Sequence, residues 1–190
     1  MKAEAASDRL PIARLAVKGG CPVCVAVKHF QESLPGHLRA EGQTQLCNFH
    51  AWSLAKSAPA EVAASLFLDA LRAKELDPSS ASPPSCIACK KIHEEEITRL
   101  KEVTRELERP PMAVWLQQHA TFCLRHIREL KKRVPVSLQK IVEKLRIKNK
   151  AELEAELEEF LQQARQGDHT GGGVLGRAAE FLVAQRGILD

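Results

Sequence analysis

Eight side chains in this sequence carry donor atoms at a spacing suited to a metal ion. Cys21 and Cys24 form a CxxC, and after 22 residues Cys47 and His50 form a CxxH. Cys86 and Cys89 form a second CxxC, and after 33 residues Cys123 and His126 form a second CxxH. These motifs use every one of the six cysteines. Residues three apart at a helix N-terminus lie on one face, and the positive end of the helix dipole there favours thiolates, the form of cysteine that binds metal. A CxxC and a CxxH from two helix starts supply a Cys₃His set, which suits tetrahedral Zn²⁺. The expectation is two zinc ions per chain. Soft thiolates also hold iron–sulfur clusters, which stand as the alternative cofactor.

The likeness between the halves extends beyond the ligands. Pro59 and Pro135 follow the two CxxH histidines at the same distance, Leu54 matches Leu130, and Lys56 matches Lys132. Such self-similarity at a long period indicates an internal duplication. It predicts one site per repeat: Cys21, Cys24, Cys47 and His50 in the first, Cys86, Cys89, Cys123 and His126 in the second. The rival is an interleaved arrangement, with the CxxC of one repeat meeting the CxxH of the other. A thioredoxin-type redox pair would need a βαβ context, and none is visible. Neither motif is CxxCH, which disfavours covalent haem. The other histidines, at 29, 37, 93, 119 and 169, read as surface or packing residues, although His93 lies one turn beyond Cys89.

The elements that must position these groups read as helices throughout. Ala, Leu, Glu, Lys and Gln dominate, aromatics are scarce and no segment reads as a strand, so the fold class expected is all-α: two pseudo-repeated helical halves, each built round a metal site, with a C-terminal helical extension. A helix is expected from Cys21 to about Leu34, ending before Pro35–Gly36, and a long one over 86–109. The basic stretch 136–148 and the acidic stretch 150–165 read as separate helices. The last helix should cover about 174–186. The domain reading is a first repeat over 1–76, a Pro/Ser linker "DPSSASPPS" within 77–85, a second repeat over 86–148 and a C-terminal segment over 149–190.

Charge is unevenly spread. Residues 86–150 hold 16 Lys and Arg against 8 acids, whereas residues 151–190 hold 3 against 8. The basic half raises nucleic acid as a partner, with Lys131, Lys132 and Arg133 as contacts. No aromatics interleave the basic stretch to stack bases, so a protein partner is preferred. The N-terminus lacks a signal-peptide core and no apolar run could span a bilayer, which predicts a cytoplasmic protein without a membrane partner. Six cysteines in a reducing compartment point to metal or redox chemistry and not to disulfides.

The layout "CPVC…LCNFH" and "CIAC…FCLRH", with "LEAELEEFL" and "LGRAAEFLVAQRG" after it, resembles a bacterial family of unknown function that carries CPxC followed by CxxH twice. The resemblance covers about residues 12–188 and implies the same eight positions as the shared ones. Relatives carry a His-Asp-Tyr-Arg-Phe-like segment after the acidic helix, where this chain has "QARQGDHTGGG". The family brings no known activity. On the residues themselves, a metal-stabilised module that binds a partner leads. A redox or metal sensor with labile sites is the alternative. An enzyme is least supported, because catalytic zinc keeps a position open, each set here has four ligands, and no HExxH, GxSxG or phosphate-loop motif occurs.

Overall fold

A computed structural model of the chain describes residues 11–16, 20–40, 46–72, 86–167 and 173–184. These residues form α-helices and no strand: α1 (Ile12–Ala16), α2 (Pro22–Ala40), α3 (Asn48–Ser57), α4 (Ala60–Arg72), α5 (Ile87–Leu107), α6 (Pro110–His119), α7 (Leu124–Arg133), α8 (Val136–Arg165) and α9 (Gly173–Val183). The all-α expectation holds. The Pro/Ser linker over 77–85 and the loop histidine at 169 lie outside the described residues. No described helix is long and apolar enough to cross a membrane.

Two helices run further than the sequence indicates. α2 continues through Pro35 to Ala40. A proline inside a helix removes one backbone hydrogen bond and crowds the preceding turn. Here Leu34 and Leu38 on either side of it are buried, and their packing outweighs that local cost. The basic and acidic stretches are one helix, the 30-residue α8. Their junction at Lys148–Lys150 contains neither Gly nor Pro, and Lys148–Glu152 and Lys150–Glu154 pair across it at the i,i+4 spacing that supports helix.

The chain divides into two compact units. One holds the described residues up to Ala26 and from Glu96 onward; the other holds Val27 to Glu95. Each unit therefore draws on both sequence repeats. In the first unit α8 packs on α6, α7 and α9, and α1 packs on α6. Its core contains Leu15, Leu100, Leu107, Leu116, Phe122, Leu130 and Leu145, all nearly inaccessible. In the second unit α3 packs on α4, and the interior formed by its described residues is thinner, centred on Val27, Leu34, Leu38, Leu54 and Leu66.

α9 ties the C-terminal extension to the first CxxC. The Cys21 backbone N–H, at the start of α2, donates to Glu180 Oε1 at 2.9 Å. A carboxylate there satisfies an orphan donor and complements the helix dipole. Gly20 makes room for it: its φ is +79°, and a Cβ would lie 2.6 Å from Glu180 Oε1. Gly20→Ala is expected to lower the stability of the first unit by about 1–2 kcal/mol, the usual cost of left-handed backbone in an L-residue, and to push Glu180 off Cys21. Urea unfolding midpoints check this, and an unchanged midpoint would count against it.

Candidate metal centres

All four motifs are built alike, and the construction explains their spacing. The carbonyls of Cys21, Cys47, Cys86 and Cys123 each accept the first helical hydrogen bond, from Val25, Ala51, Lys90 and Ile127, at 2.9–3.1 Å. The first residue of each motif is thus the N-cap and the second lies in the first turn, three residues on. Cys47 and Cys123 make no side-chain cap bond, which leaves their sulfurs free for another role. Both side chains of each motif project from the positive end of their helix.

The eight residues gather into two groups of four, and the pairing is crossed. Cys21, Cys24, Cys123 and His126 form the first centre; Cys47, His50, Cys86 and Cys89 form the second. The expectation of one site per sequence repeat is therefore wrong. Each CxxC meets the CxxH of the other repeat: the N-termini of α2 and α7 converge in the first unit, and those of α3 and α5 in the second. Loop length is no guide to such pairing, because the entropic cost of closure rises only slowly with the number of residues enclosed.

The spacing within each group is that of ligands around one ion. In the first centre, Cys24 and Cys123 have their sulfurs 3.8 Å apart, and His126 Nδ1 lies 3.2, 3.4 and 3.2 Å from Cys21, Cys24 and Cys123. In the second, the sulfurs of Cys47 and Cys89 are 3.8 Å apart, and His50 Nδ1 lies 3.3, 3.5 and 3.4 Å from Cys47, Cys86 and Cys89. With metal–sulfur bonds of about 2.3 Å and metal–nitrogen bonds of about 2.0–2.1 Å, a tetrahedron has S···S edges of about 3.8 Å and S···N edges of about 3.6 Å. A disulfide would need sulfurs about 2.05 Å apart, and all six cysteines are free thiols.

The first centre has a second layer of support. His126 Nε2 lies 2.9 Å from Glu96 Oε1, and Arg125 reaches both oxygens of Glu96, at 3.1 and 3.3 Å. A carboxylate behind a histidine fixes its tautomer and strengthens it as a ligand. Burial pulls the imidazole towards its neutral form, but bonds to Cys123, Cys24 and Glu96 outweigh it and push the pKa up to about 11. Burial pushes the Cys21 thiol well up, whereas bonds from Cys21 and Cys24 push the Cys123 thiol far down. These crowded groups compete for protons, and a dication among them would take the protons' place.

The second centre lacks this support. His50 Nε2 is buried and has no hydrogen-bond partner among the described residues, and burial alone lowers its pKa. In the register that matches Cys21 to Cys86, Glu96 corresponds to Gln31; in the register that matches His50 to His126, Arg125 corresponds to Phe49. Every ligand of the first centre is buried, while in the second Cys47 and Cys89 are half-buried and Cys86 keeps 8% of its surface exposed. Spacing rules did not reveal Glu96, Arg125 and Glu180, because Glu96 sits in the run Glu94–Glu96 and Glu180 is distant in sequence. Comparing residues beyond the cysteines in the two registers would have singled out the first two.

The remaining candidates stand apart. His93 is exposed and belongs to neither group; His29 pairs with Glu32, His37 stacks on Phe30, and His119 contacts Trp115. Lys132 and Arg133 pair with Glu129 at 2.6 and 3.5 Å, and Lys131 lies 3.8 Å from Glu143. Comparison with protein families, characterised proteins and solved structures finds no match for this chain.

Proposed function

We propose that this chain is a two-zinc helical module of the cytoplasm, with both centres closed by four protein ligands, that works by binding a protein partner. The ligand spacing carries the reading. All donor atoms of each group lie within 4.8 Å of one another, with sulfur–sulfur separations of 3.8 Å. That is the span of one tetrahedral ion. An iron–sulfur cluster places thiolates on different irons and spreads them further apart. Zinc suits a closed Cys₃His set, and a closed set supports a structural role over a catalytic one.

Two observations favour protein over nucleic acid. The basic residues Lys131, Lys132 and Arg133 face Glu129 and Glu143, which weakens the field a phosphate would meet. On α3, beside the second centre, Phe49 is 47% and Trp52 63% exposed, the kind of apolar surface that protein partners cover. A second reading, the redox sensor, is favoured by the unequal protection of the two centres.

Elemental analysis of protein purified without oxygen tests the reading. Two zinc ions per chain and no visible iron absorption are expected. Iron with acid-labile sulfide, or no metal, would overturn it.

A further inference from the structure

We infer that Cys47 and Cys89 are a hydroperoxide-reactive pair, oxidised together to a disulfide that expels the ion of the second centre while the first centre keeps its own. This rests on the reading of both groups as metal sites, and it makes the two centres unequal in function.

Access separates the sulfurs. A coordinated thiolate remains a nucleophile, and its oxidation follows thiolate character and exposure. Cys21, Cys24 and Cys123 are at most 1% exposed, as is His126. Cys47 and Cys89 are the most exposed ligand cysteines, Cys86 follows at 8%, and all three belong to the second centre. Their sulfurs, 3.8 Å apart, need to close by about 1.8 Å to bond. Cys24 and Cys123 are as close to each other, but both are buried.

Anchoring separates the centres in the same direction. His126 is held from behind by Glu96, itself gripped by Arg125, and α9 sets Glu180 against Cys21. Among the described residues, none holds His50 Nε2 in this way. Loss of an outer partner of this kind weakens metal binding by about 10–100-fold, so the second centre starts as the weaker one.

The chemistry balances. One thiolate attacks the peroxide O–O bond and becomes a sulfenic acid; the leaving oxygen departs as hydroxide or alkoxide and takes a proton from solvent. The second thiolate attacks the sulfenic sulfur, a disulfide forms, and hydroxide leaves and is protonated. Two sulfurs lose two electrons in all, and hydrogen peroxide yields two waters. Cys86 and His50 remain, which is too few ligands to retain zinc. The second unit, with its thin interior, then loses the ion that holds α3 and α5 together, and Trp52 on α3 reports the change.

The test treats the two-zinc holoprotein with hydrogen peroxide in the presence of a zinc indicator, with thiol counting and disulfide mapping by mass spectrometry. One zinc per chain should be released at least about tenfold faster than the other, as the difference in thiolate access requires. Two of the six thiols should disappear with it, and the Cys47 and Cys89 peptides should be linked. Release of both ions at comparable rates, no release, or a Cys86–Cys89 bond would overturn the inference and leave the metal reading standing. A preparation without metal before peroxide is added would overturn both.

Discussion

Stripping the metal from the holoprotein with a chelator at neutral pH is expected to abolish most of its helical circular dichroism. Domains are stable by about 5–15 kcal/mol, and a structural zinc contributes about 10–16 kcal/mol apparent. Losing one ion can therefore consume the whole stability of the unit around it. The second unit should be the more dependent. It spans residues 27–95, its described residues bury few large apolar side chains, and cores of that size usually need a staple. The first unit packs Phe122 and six fully or nearly fully buried leucines, and should keep residual helix. Thermal melts followed at 222 nm check this. Stripped protein that melts like the untreated form would rule out structural metal.

Glu96→Ala is expected to weaken zinc at the first centre by about 10–100-fold, the usual consequence of removing the group that orients a ligating histidine. The carboxylate does two jobs at once: it receives the His126 Nε2 contact at 2.9 Å and the Arg125 fork. Glu96→Gln keeps a neutral acceptor and should fall between Ala and wild type. Chelator competition gives the affinity, and circular dichroism of the zinc-loaded variant separates weak binding from failure to fold. The second centre should be unaffected, since His50 has no partner of this kind among the described residues. An Ala variant that binds both ions as tightly as wild type would show that Glu96 has no role in holding the metal.

The helical class, the eight clustered residues and their N-terminal placement were legible because each follows from a local rule. A CxxC or CxxH is an N-cap and first-turn pair, and the rule needs no knowledge of the rest of the chain. The pairing was not legible. Repeat logic assigns each CxxC to the nearer CxxH, but the energy of a closed site does not depend on which repeat supplies the ligands. Pro35 and the α8 junction misled for the reverse reason. A local breaker signal, or a change of charge, reads as an end, while burial of Leu34 and Leu38 and the ion pairs of Lys148 and Lys150 carry each helix through. Glu180 lies 159 residues from Cys21, beyond the reach of any spacing argument.

The most direct test of two crossed four-ligand centres is anomalous diffraction from crystals of the holoprotein, recorded on both sides of the zinc absorption edge. The account predicts two peaks per chain, one bounded by Cys21, Cys24, Cys123 and His126, the other by Cys47, His50, Cys86 and Cys89. A peak that joins a CxxC to the CxxH of its own repeat, a single peak, or none would contradict it.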